Sequence, residues 1–299
     1  MFGHKPKFYW SPLDHGDHPE IDTTEELDEN GTKQYQSMIG SLQWAVALGR
    51  FDISTAVMTL SSFRASPRKG HLMRAKRIYG YLAKFKDSAI RIRTSLPDYT
   101  NMQFEEYDWQ STTYGDIEEI IPSDIPTPLG NIVQLTTYVD ANLLHDILTG
   151  RSVTGVIHLI NKTPFDWYSK KQSTVETATY GSEFTAARVA VDQIITNRNI
   201  LRYLGVPIKH RSYMFGDNKS VVDSSMIPHV KLHKRHNLLS FHRVREAIAA
   251  GIINFIHIPS SYNPANILSK HWSHQQVKMN LKALLFYEGN TGDLLNEEN

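Results

Sequence analysis

Three carboxylates sit in settings that suit metal chemistry. Asp140 closes the alternating run IVQLTTYVDA, Glu183 lies in the long stretch VETATYGSEFTAARVAVDQIITNRNILRYLG, and Asp217 ends RSYMFGD. Alternation of apolar and polar residues marks the first and third of these runs as strands, while the 3.6-residue recurrence of Phe184, Ala187, Val191 and Ile194 marks the second as a helix. If the first and fourth strands of the sheet are neighbours and the helix packs across them, the three carboxylates converge at one sheet edge. Converging carboxylates repel one another and resist desolvation, so they persist chiefly where a divalent cation compensates them. A set of oxygen ligands selects Mg²⁺, with Mn²⁺ as its substitute, over zinc. Two such ions about 4 Å apart can activate water and stabilise a leaving 3′-oxygen in phosphodiester hydrolysis. Spacing alone leaves a plainer reading open, since most carboxylates are solvated surface groups.

Other residues invite sharper and blander readings together. His229, His233, His236 and His242 fall among Lys231, Lys234 and Arg235. Zinc is not expected there: the H-E-x-x-H pattern is missing, and a basic loop accounts for the composition. Arg74, Lys76 and Arg77 stand on non-apolar faces of a helical pattern, where they either grip a nucleic-acid backbone or form a solvated face. Arg243 carries the same pair of readings in a later helix.

The elements that must position these groups follow from the pattern. With 299 residues, 40% of them hydrophobic, the chain can bury a substantial core, and no apolar run approaches the roughly 18 residues of a membrane span. There are no cysteines, which excludes disulfides and thiolate metal sites. Lysine plus arginine number 32 and aspartate plus glutamate 31, yet no Lys or Arg occurs from Thr94 to Gly150, so two basic bodies flank an acidic connector. The expected divisions are a loose acidic leader over 1–32, a helical subdomain over 33–94, an acidic linker over 95–130, an α/β domain over 131–275 and a tail over 276–299. Within the α/β domain the predicted order is βββαβααβα. Nothing at the N-terminus has the apolar core of a signal peptide, which makes an intracellular location the default.

The segments YVDANLLHDILTGRSVTG, DWYSKKQSTVETATYGSEFTAAR, MFGDNKSVV, RHNLLSFHRVREAI and HIPSSYNPANILSKHW closely resemble, in order and spacing, the ribonuclease H domain of copia-type retrotransposon Pol polyproteins, with the algal and diatom branch the most similar. Upstream, YQSMIGSLQWAVALGRFDISTAV, LSSF and HLMRAKRIYGYL resemble the thumb and connection that follow the reverse transcriptase of that family. The resemblance implies a ribonuclease H-like mixed sheet with helices, preceded by a small helical thumb-like subdomain. It implies that Asp140, Glu183 and Asp217 hold two Mg²⁺ ions, that His236 contacts the phosphate or leaving group, and that an RNA–DNA hybrid is the substrate and other parts of Pol are partners. The family's fourth carboxylate lies in an ADILSK-type motif, read here as ANILSK with Asn266 at the Asp position. An amide oxygen can ligate a metal but brings no charge, so a weakened nuclease or a nucleic-acid-binding remnant is the rival expectation. The family's Tyr-x-Asp-Asp polymerase motif has no counterpart, so DNA synthesis is not expected.

Overall fold

Asp28 accepts a hydrogen bond from the Gly31 N–H at 2.7 Å and so caps the first helix, α1 (Glu29–Ala47). The computed structural model describes residues 7–100, 102, 105–232 and 237–287. In α1, α2 (Ser54–Ser61) and α3 (Lys69–Lys84), residues at helical spacing turn inward, and Tyr35, Met38, Leu42, Leu60, Ala75, Ile78 and Tyr81 are buried together. Asp52 lies in the short turn just before α2. It is buried, takes Arg50 at 2.8 Å and accepts the Tyr81 hydroxyl at 2.6 Å, tying the start of α2 to α3.

The leader departs from expectation over its described part. Arg74 of α3 binds Asp17 at 2.9 Å and Asp22 at 2.6 Å, Arg77 binds Asp14 at 2.7 Å, and the buried His71 meets the Pro19 carbonyl at 2.9 Å. Gly70 leaves the room for this, because a Cβ there would stand 1.9 Å from the Asp22 carboxylate. Acidic, Pro-rich composition reads as a solvated segment, yet here its charges complement the basic face of α3. Arg74 and Arg77 are therefore committed to the leader rather than to a nucleic-acid backbone, while Lys76 is exposed. Arg74→Met is expected to lower stability by about 2 kcal/mol through stranded, partly buried carboxylates. Urea unfolding would measure the loss, and unchanged affinity for duplex nucleic acid would accompany it.

The segment expected to be a free tail also joins this core. Helix α8 (His274–Leu284) buries Val277, Leu281 and Leu284 against the helical body, and β7 (Leu285–Phe286) pairs antiparallel with β1 (Ala89–Ile90). The Tyr287 hydroxyl then donates to the Tyr81 hydroxyl at 2.8 Å.

The larger sheet comprises β2 (Leu135–Asp146), β3 (Arg151–Ile160), β4 (Thr163–Lys171), β5 (Ser212–Gly216) and β6 (Ile253–His257), in the order β4-β3-β2-β5-β6. Strands β2, β3 and β4 form an antiparallel meander, whereas β5 and β6 run parallel to β2. The parallel pairings need crossovers, supplied by α4 (Thr179–Tyr203) and by α5 (Lys219–Met226) with α6 (Leu238–Ala249); a short α7 (Asn266–Ser269) follows β6. This is the ribonuclease H-like arrangement. Helix α4 lies on the sheet through Phe184, Ala187, Val191 and Ile194, packed with Val139, Val156, Met214 and Phe255.

The acidic connector is a strap. Trp109 and Tyr114 lie over the buried Arg245 guanidinium, and Glu119 chelates Arg198 and Arg202 of α4 with contacts of 2.8 Å. Arg245 of α6 donates at 2.8 Å to the carbonyls of Ser224 and Ile227 at the end of α5. Among the described residues, no helix is long and apolar enough to cross a membrane.

Candidate metal centre

Parallel pairing of β2 with β5 sets Tyr138 beside Phe215, so two residues further on Asp140 and Asp217 emerge side by side. Glu183, in the second turn of α4, reaches the same place because α4 crosses these strands. One carboxylate oxygen from each of the three lies within 4.8 Å of the others. Asp140 is 1% exposed and Glu183 7%, and Asp217 sits at the rim. Strand β2 runs on to Asp146 beyond the predicted stretch, so Asp140 is central in it rather than near its end.

Burial raises the Asp140 carboxyl above its ordinary range, with the Asp217 charge adding to the effect. Glu183 is pushed up further, first by burial and then by Asp140 and Asp217, although it accepts the Ala141 N–H. The cluster thus resists full ionisation on its own, which is the electrostatic condition that a divalent cation relieves. Oxygens bound at about 2.1 Å to one octahedral ion stand about 3.0 Å apart when adjacent and about 4.2 Å when opposite, so carboxylate oxygens up to 4.8 Å apart must draw together by roughly an ångström to share it. Hard oxygen donors of this kind fit Mg²⁺ or Mn²⁺.

The segment at α7 completes the centre. Ser269 donates its hydroxyl to Asp140, and the Lys270 ammonium lies 3.2 and 3.1 Å from the two Asp140 oxygens and 2.5 Å from the Asn266 amide oxygen. Burial opposes the Lys270 charge, but the Asp140 carboxylate outweighs it and raises the ammonium pKa. Asn266 donates to the Ser260 carbonyl at 2.7 Å and touches the carboxylates through Lys270. The buried Asn263 anchors the turn before α7 by donating to the Val139 carbonyl at 2.9 Å, next to Asp140. Thr55 of α2 donates to the Ile267 carbonyl at 3.0 Å, so the helical subdomain also braces α7.

Close approach of α7 depends on Gly155, the partner of Asp140 in β3. A Cβ at Gly155 would stand 2.7 Å from the Ala265 oxygen, 2.8 Å from the Leu268 carbonyl carbon and 2.9 Å from the Ser269 nitrogen. The signal was legible, since a glycine inside a strand often marks a close backbone neighbour. Gly155→Ala is expected to cost about 1–3 kcal/mol by overpacking. Thermal unfolding with and without Mg²⁺ would report both that loss and a smaller metal-induced rise in Tm, because Ser269 and Lys270 shift with α7.

Of the other residues singled out in the sequence, Arg243 and His242 have partners outside the centre. His236 falls outside the described residues. Arg243 binds Asp192 at 2.8 Å and approaches Glu246 at 3.8 Å, and His242 meets the Tyr114 hydroxyl. Sequence reasoning passed over Ser269, Lys270 and Asn263, all within or beside the ANILSK motif.

No family model matches the chain. Among curated proteins, it is 24% identical over 246 residues to the retrovirus-related Pol polyprotein from transposon RE2 of Arabidopsis thaliana, covering 81% of this chain and 14% of that one. It is 27% identical over 248 residues to that from transposon TNT 1-94 of Nicotiana tabacum, covering 83% and 16%. The chain thus spans about one-seventh of the length of these relatives. Among solved structures, LC11-RNase H1 in complex with an RNA/DNA hybrid, an enzyme isolated from compost, aligns at a TM-score of 0.37 and 16% identity over 46% of this chain and 94% of that one.

Proposed function

The chain is a relative of copia-type Pol polyproteins, and from that premise we propose that it is a divalent-metal-dependent ribonuclease H that hydrolyses the RNA strand of RNA–DNA hybrids. The observation that carries the reading is the convergence of Asp140, Glu183 and Asp217, one oxygen from each within 4.8 Å, on this fold. The three carboxylates would hold Mg²⁺. Bound there, the ion supplies a water of lowered pKa and offsets charge on the scissile phosphate. Asp140 is oriented for this by the Ser269 hydroxyl, and Glu183 by the Ala141 N–H. Lys270 places a fixed positive charge at the rim, where a phosphodiester oxygen would approach. Products with 5′-phosphates are expected, and a hybrid is distinguished from DNA by its 2′-hydroxyls. Other segments of a Pol polyprotein are the proposed partners.

Asn266 favours a second reading, in which the chain binds nucleic acid without turnover, because a neutral amide occupies the family's fourth carboxylate position. A labelled RNA–DNA hybrid incubated with Mg²⁺ separates the two. Cleavage of the RNA strand, abolished by EDTA and absent with duplex DNA, supports the nuclease; retained hybrid binding with no cleavage in Mg²⁺ or Mn²⁺ supports the second reading.

A further inference from the structure

We propose that the centre takes a single divalent ion, because Lys270 permanently supplies the second cation. The inference rests on the reading of the centre as a hydrolytic metal site. Its first support is geometric. Lys270 straddles both oxygens of Asp140, at 3.1 and 3.2 Å, and its third contact is the Asn266 oxygen at 2.5 Å. These are the groups on which a second ion would have to draw, so the ammonium and that ion compete for one position.

Charge points the same way. Asp140, Glu183 and Asp217 bring three negative charges, which one divalent ion and Lys270 together neutralise. Before substrate brings its phosphate, a second divalent ion in place of Lys270 would leave the buried cluster with net positive charge and, with Asn266 in place of a carboxylate, would gain only a neutral ligand.

The lysine is also held from its backbone. Helix α7 is seated against Gly155 with no space for a Cβ, and is fastened by Thr55 and by Asn263. Withdrawing Lys270 to admit an ion would leave Asp140, 1% exposed, without its ion pair during the exchange.

The test counts ions rather than products. Intact chain is titrated with Mn²⁺ and followed by electron paramagnetic resonance, alone and saturated with an RNA–DNA hybrid analogue bearing 2′-fluoro sugars. Ions retained by Asp140→Asn are subtracted as background. One Mn²⁺ per chain in both states is expected, with a second, spin-coupled Mn²⁺ appearing in Lys270→Met on hybrid but not in Lys270→Arg. Two ions in the unaltered chain would overturn the inference and leave the metal-centre reading standing, whatever the folding of the variants. One ion in the chain and still one in a folded Lys270→Met would overturn the role of Lys270. No ion in either state would overturn the metal-centre reading and this inference with it.

Discussion

Glu183→Gln is expected to reduce hybrid cleavage by about 10³-fold or more, while making the metal-free protein more stable at neutral pH. Glutamine preserves the shape of Glu183 and can still accept the Ala141 N–H, but it removes one of the three charges proposed to hold the ion. The gain in stability follows from the raised carboxyl. A group whose pKa in the folded state lies above its ordinary 4.5 adds stability below that value and loses it as pH rises through the folded pKa. Burial and the Asp140 and Asp217 charges impose that rise on Glu183, so ionisation at neutral pH works against folding when metal is absent. The advantage of the variant should therefore widen from about pH 4.5 upward. Urea titrations in EDTA at pH 4 and pH 7 would show it, and added Mg²⁺ should stabilise the unaltered chain but not the variant. If the variant retained cleavage at the unaltered rate, Glu183 would not be a ligand.

Glu119→Ala is expected to cost about 3–5 kcal/mol, a large share of the stability of a single domain. Arg198 is 1% exposed and Arg202 9%, and Glu119 contacts both through paired 2.8 Å hydrogen bonds. Deleting it strands two guanidiniums, although Arg198 keeps its bonds to the His210 carbonyl and the Ser212 hydroxyl. Burial alone would raise the Glu119 carboxyl; hydrogen bonds from the two arginines override it and hold the pKa down at about 2. A depressed carboxyl contributes stability above its ordinary 4.5 and loses it as pH falls towards about 2. The unaltered chain should accordingly lose stability between pH 4.5 and pH 2 more steeply than the variant, as urea midpoints taken across that range would record. Equal slopes would mean that the strap contributes nothing to folding.

Much of the α/β domain was legible in the chain itself. Period-2 alternation in IVQLTTYVDA and 3.6-residue recurrence in the helix of Phe184 and Val191 specify local structure, because each reflects which face is turned to the core. Those periods, together with the motif order, brought Asp140, Glu183 and Asp217 forward as a set. Local pattern carries no information about which distant segment meets which. The leader reads as loose because composition reports average solvation, whereas Asp14, Asp17 and Asp22 are ordered by arginines more than fifty residues away. The connector likewise reads as a linker until Glu119 finds Arg198 and Arg202, and the end of the chain reads as a tail until Tyr287 reaches Tyr81.

The same division runs through the candidate centre. Residue types and periods brought carboxylates of β2, α4 and the end of β5 forward as candidates, and the resemblance in motif order made them a set, since strand and helix periods indicate where each side chain emerges but not which ones meet. Only the tertiary structure decided their electrostatic state. Burial and mutual repulsion raise Asp140 and Glu183, and Gly155 admits α7 closely enough for Lys270 to sit on Asp140. The physical reason is that charge interactions depend on separation and desolvation, which arise from contacts between segments far apart in the chain, 130 residues in the case of Asp140 and Lys270.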